Sequence, residues 1–185
     1  IPLRLVGSEM CIRDRSKAPA TRKNDTMHPG NFFDDIHLGD ERLTPRVTVT
    51  EGHVLAYAGV AGDFSPIHMD EIYAKTTTFG GRVAHGLMGL SLTDGLKVQS
   101  GFFHDGVALG WSWNFRAPIR IGDTLQARFR IADRRASKSR PTMGILVIAI
   151  SLINQHGETV QDGEHRLMVP CNCLLYTSDA ADERS

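Results

Sequence analysis

A single change of period along the chain limits its fold more than any other feature. From Val83 to Val98, apolar residues recur at Val83, Leu87, Leu90, Leu92 and Leu96, which is roughly helical spacing over much of the circumference and predicts a buried helix. After Ala108 the spacing becomes two. Leu109, Trp111, Trp113 and Phe115 alternate with Ala108, Gly110, Ser112 and Asn114; Leu125, Ala127, Phe129 and Ile131 then alternate with Gln126, Arg128 and Arg130. Gly144 to Ile153 is rich in Ile, Val and Leu, and Thr159 to Met168 follows the turn at residues 154–157. The connection Asp133 to Thr142 is polar and basic and reads as a hairpin loop. Ahead of the buried helix, Leu43 to Val49 reads as a strand and Thr50 as the cap of a helix carrying Val54, Leu55, Tyr57, Ala58 and Ala61. Met69 to Lys75 reads as a short helix, and Thr76 to Arg82 as a loop. Helices first and antiparallel strands afterwards predict an α+β domain, with one long buried helix laid against a curved sheet.

The 185 residues suit one such domain. Lys+Arg and Asp+Glu both number 21, so no global field draws the chain to nucleic acid or to an anionic membrane. The longest apolar stretch, Gly144 to Ile150, is far shorter than the roughly 18 residues of a spanning helix. The ends read differently from the middle. SEMCIRDR near the start and LLYTSDAADE near the end resemble sequencing-adapter DNA translated in frame, so residues 1–16 and 171–185 are set aside and the domain is taken as 17–170. Cys11, Cys171 and Cys173 leave with those ends, which removes the material for a disulfide scaffold, a cysteine zinc site or a thiol nucleophile. With no secretory h-region ahead of the domain, a cytoplasmic location is the expectation.

The chemistry concentrates between Tyr57 and Asp70. Asp63 and His68 stand five residues apart in a short loop, with Gly62 before the acid to permit a tight backbone and Pro66 between them to stiffen it. A carboxylate and an imidazole aimed at one water can share its proton, which adding or removing water across a carbon chain requires. Further on, Gly86 opens the buried helix, where free backbone N–H groups can hold an oxyanion. Each residue also has a plain structural role open to it: a turn cap for Asp63, a surface histidine for His68, a packing glycine for Gly86. His68 and Asp70 could start a metal site, as could Cys171 and Cys173 near the end, but no further ligand at useful spacing completes either pair and no metal is expected.

Taken jointly, the motifs are more specific. Gly62-Asp63-x-Ser65-Pro66-Ile67-His68 with Tyr73-Ala74, the run Thr77 to Gly86, and Phe115 to Asp123 resemble the MaoC-like dehydratases and (R)-specific enoyl-CoA hydratases, over about Phe32 to Val169. The resemblance implies a single hot-dog fold, a homodimer or dimer of dimers, and reversible syn hydration of a trans-2-enoyl-CoA thioester to the (R)-3-hydroxyacyl form. It also implies that Asp63 and His68 activate the water, that the Gly86 N–H holds the thioester oxygen, and that no metal or redox cofactor takes part. Ser65 stands where the family usually has Asn, and with His85 it is expected to position the substrate. Arg134, Arg135, Lys138 and Arg140 on the basic connection are candidates for the phosphates of coenzyme A. Two other readings stay open: a hot-dog acyl-CoA thioesterase, and a non-catalytic subunit that binds acyl thioesters.

Overall fold

The structure, a computed structural model, describes residues 32–101 and 106–172. Five strands form one antiparallel sheet: β1 (Glu41–Thr48), β2 (Val107–Phe115), β3 (Thr124–Ala136), β4 (Met143–Ile153) and β5 (Thr159–Pro170), in the order β1-β3-β4-β5-β2. The helices are α1 (Glu51–Ala61), α2 (Pro66–Met69), α3 (Glu71–Thr76) and α4 (Gly86–Gln99). The period-two alternation fixes which face of β3 turns inward. Leu125, Ala127, Phe129 and Ile131 are buried with Leu146, Ile148, Ile150 and Leu152 of β4, and Met88 of α4 joins the same core. Burying such side chains contributes about 1.5 to 3 kcal/mol each, so a one-residue slip of β3 would forfeit the whole row.

Thr50 caps α1 as its position implied. Its hydroxyl accepts from the His53 N–H, and His53 Nδ1 accepts in turn from the Thr50 N–H. The short helix expected over Met69 to Lys75 is instead two pieces. Asp70 breaks the run, and its carboxylate accepts from the N–H groups of Ile72 and Tyr73 to cap α3. The long helix starts three residues later than its apolar pattern suggested. Val83 bridges Arg120 and the Ala84 N–H donates to the Ile119 carbonyl, so these residues are held extended by a distant segment. Its burial is also partial: Met88, Gly89, Thr93, Leu96 and Lys97 are buried, but Leu87 is 57% and Val98 58% exposed.

The basic connection is shorter than its polarity implied. β3 runs through a bulge near Asp133 and continues to Ala136, because the apolar run of β4 offers partners to the end: Arg134 pairs with Leu146 and Arg135 with Ile145. Arg134 is committed locally. Its guanidinium stacks 4.3 Å from the Phe33 ring and donates to the Phe33 carbonyl. Phe33 in turn lies on Gly144, where any Cβ would fall 2.0 Å from its ring. Residues 1–16 and 173–185 lie outside the described residues, whereas Cys171 and Asn172 do not. The Cys171 N–H donates to the Thr142 carbonyl and the Asn172 N–H to Asp34.

One buried group should make stability depend on pH. His165 of β5 is fully buried, stacked 3.8 Å from Trp111, and neither ring nitrogen has a hydrogen-bond partner. Burial, with Lys97 adding to it and Asp94 opposing, pushes its pKa down from 6.5 to about 4. The folded chain therefore holds this ring neutral while the unfolded chain protonates it. Its contribution is complete above pH 6.5 and is lost as pH falls toward 4, amounting to about 2 kcal/mol by pH 5. Unfolding free energies from urea titrations at pH 7.5 and pH 5 should differ more for the native chain than for His165→Leu by roughly this amount; equal differences would contradict the assignment.

Candidate active site

The acid of the site is set by the end of α1. Gly62 caps that helix in the left-handed region (φ 71°), a conformation glycine adopts without steric cost, and the turn brings Asp63 back over the following loop. Asp63 Oδ1 accepts twice from Ser65, from its N–H at 3.1 Å and its hydroxyl at 2.5 Å. These two bonds are the main reason the Asp63 pKa is lowered, with smaller help from His68 and His85 and some opposition from desolvation. Oδ2 takes part in neither bond.

His68 lies on α2, started by Pro66 at its first position. Its Nδ1 is 2.7 Å from the Val83 carbonyl, which can only accept, so Nδ1 carries the proton and Nε2 of the neutral ring presents a lone pair. That Nε2 faces Asp63 Oδ2 at 3.8 Å. His85, the buried N-cap residue of α4, makes the complementary choice. Its Nε2 lies 2.9 Å from the Asp63 main-chain carbonyl and so carries the proton, leaving Nδ1 as a buried lone pair with no partner. The two imidazoles stack with centroids 3.8 Å apart, and Tyr57 packs on His85 at 5.0 Å.

Beside this cluster opens a cleft of about 400 Å³. His68 and Gly86 line it together with Phe79, Phe115, Ile119 and Gln161. Gly86 is the first residue of α4, where N–H groups lack intrahelical acceptors. The helix sits low here: a Cβ on Gly86 would fall 2.9 Å from Phe115 Cε1. The cleft thus has the start of α4 and the His68 imidazole in its wall.

Of the residues singled out in the sequence, Asp63, His68, Ser65, His85 and Gly86 come together. Ser65 and His85 both bond to Asp63, the first to its carboxylate and the second to its main-chain carbonyl. Arg134, Arg135, Lys138 and Arg140 do not join them: none lines the cleft, the first two belong to β3, and Arg140 Nη1 lies 3.8 Å from Met168 Sδ. The basic residue of the cleft wall is Arg116, paired with Asp162 at 2.9 Å. For a metal, Asp70 is spent on capping α3, and the fold supplies a different set. Asp63, His68 and His85 offer ligand atoms within 4.8 Å of one another, although His85 would have to release the Asp63 carbonyl to use its Nε2. Gln161 was not singled out. Its signal in the sequence is slight, a polar residue beside Val160 at the start of a strand that carries several other polar residues.

An antiparallel sheet packed on one long helix is shared with a double hot-dog protein of Mycobacterium tuberculosis, at TM-score 0.64, 22% identity and coverage of 77% of this chain and 45% of that one. The fold is a hot-dog fold. Residues 35–151 match the MaoC like domain, and the chain belongs to that family. It is 30% identical to the (R)-specific enoyl-CoA hydratase of Aeromonas caviae over 70% of this chain and 91% of that protein. The MaoC-like dehydratase of Rhodospirillum rubrum superposes at TM-score 0.71, with 31% identity and coverage of 77% of this chain and 98% of that one. Protein MaoC of Klebsiella aerogenes is 39% identical over 118 residues, and the chain spans 35% of its length.

Replacing Ser65 with Ala removes the hydroxyl bond that lowers the Asp63 pKa most, so that pKa should rise. Carbon-detected NMR titration of the Asp63 carboxyl in the native chain and in Ser65→Ala would read the shift, and an unchanged midpoint would contradict the assigned cause.

Proposed function

We propose that the protein is a hydro-lyase that adds water reversibly to trans-2-enoyl-CoA thioesters, giving the (R)-3-hydroxyacyl form. The observation that carries this reading is the pair of free acceptors, Asp63 Oδ2 and His68 Nε2, held 3.8 Å apart beside the first turn of α4. A water placed at hydrogen-bond distance from both, roughly 2.8 Å, fits that gap. His68 Nε2 takes one proton from it while Asp63 holds the other hydrogen and steadies the imidazolium. The oxygen adds to C3. Charge moves to the thioester oxygen, where the Gly86 N–H stabilises the enolate, and the imidazolium returns its proton to C2 from the same face, which makes the addition syn. No charge is left over, and the reverse sequence is the dehydration. The names of the relatives support the substrate class, as does the apolar cleft, suited to an acyl chain.

A second copy of the chain also belongs to this reading. Among the described residues β2 has β5 on one side and no strand on the other, and its Val107 and Leu109 are exposed. Such an edge is a template for pairing, and we place the homodimer contact there. Among the described residues no helix is long and apolar enough to cross a membrane.

A short trans-2-enoyl-CoA offered to the purified protein should yield the (R)-3-hydroxyacyl thioester on chiral analysis. The (S) product, or release of free coenzyme A, would sink the hydratase reading, and the latter would favour a thioesterase. Asp63→Asn and His68→Gln should each lower turnover by about 100-fold or more with near-normal circular dichroism. Substantial activity in either variant would show that the water is held elsewhere.

A further inference from the structure

Gln161 is a buried polar residue to which the proposed reaction gives no task. It lies on β5, is 2% exposed, and with His68 and Arg116 supplies the polar side chains of the cleft wall. Both ends of its amide are fixed. Trp113 Nε1–H can only donate and meets Oε1 at 2.9 Å, whereas the Gly86 carbonyl can only accept and takes Nε2–H at 2.9 Å. These partners leave one orientation of the amide. The side chain is also pressed against the helix: a Cβ on Gly89 would fall 2.5 Å from Gln161 Oε1 and 2.6 Å from Ile119 Cδ1. Glycines at 86 and 89 therefore let the first turn of α4 settle onto Phe115 and Gln161.

The residue whose carbonyl Gln161 holds is the one whose N–H faces the thioester oxygen in the proposed reaction. The two peptide planes meet at the Gly86 Cα, and glycine at that point has more rotational freedom than any other residue. A hydrogen bond to the carbonyl limits that freedom, and the chain Trp113–Gln161–Gly86 ties the donor to strands β2 and β5. We propose that Gln161 is a positioning residue, which holds the first turn of α4 where the Gly86 N–H meets the developing oxyanion. The inference rests on the hydratase reading.

Gln161→Met keeps length and volume and removes both hydrogen bonds. For a short trans-2-enoyl-CoA, kcat should fall about 10- to 100-fold with KM changed less than about threefold, since a displaced oxyanion donor weakens the transition state more than the bound substrate. Trp113→Phe removes the group that orients the amide without touching the cleft, and should give a smaller loss of the same kind. The double variant should be no worse than Gln161→Met alone. Retained kcat, a loss confined to KM, or additive losses would overturn the proposal. Should Gln161→Met fail to fold, Trp113→Phe carries the test alone, and an unchanged kcat in that variant overturns the proposal. An inactive native chain in this assay would count against the hydratase reading. In that event the Gly86 amide resonance decides separately: it should move in Gln161→Met, and an unmoved resonance overturns the proposal.

Discussion

The close approach of the first turn of α4 to strands β2 and β5 is the constraint on which the site depends. Positions 86 and 89 cannot carry a Cβ without meeting Phe115 or the Gln161 and Ile119 side chains. Because the helix sits this low, its N-terminus reaches the level of α2, and His85 can bond back to the Asp63 main chain. Cores are packed too densely to absorb a shift of this kind at one point, so the helix, the loop and the two strands move together or not at all.

The carboxylate and the two imidazoles divide the work by hydrogen-bond inventory rather than by residue type. Val83 fixes the proton of His68 on Nδ1, and the Asp63 carbonyl fixes that of His85 on Nε2. Ser65 occupies Oδ1 and leaves Oδ2 for the ligand side. Two stacked histidines thus have unlike duties: one presents a lone pair, while the other clamps the Asp63 main chain. An acid and a base in the sequence become a definite pair of acceptors only through main-chain carbonyls that belong to other segments.

Local pattern was enough to read the sheet. The alternation of Leu125, Ala127, Phe129 and Ile131 marks the inner face of β3, and the Asp63–His68 loop is legible because both groups lie in one short, stiffened segment. Where distant pairing decides the outcome, local reading failed. Val83 and Ala84 look helical by spacing but are extended because Ile119 and Arg120 hold them. Arg134 and Arg135 look like a loop but continue β3 because β4 supplies partners. Asp70 ends α2 by capping the next helix, an act visible only when the N–H groups it serves are known. Gln161 is distant in the chain from the residues it touches, and nothing near it in sequence points to Gly86.

The sequence contains two tryptophans, and both sit on β2. The Trp111 ring stacks on His165 with Lys97 Nζ 5.5 Å from its centroid, while the indole N–H of Trp113 is bonded to Gln161. The tryptophan emission of the protein is therefore a local signal from the layer between helix and sheet rather than an average over the fold. It would register a change in the charge of His165 or in the bond to Gln161, and would be nearly silent about the far edge at β1.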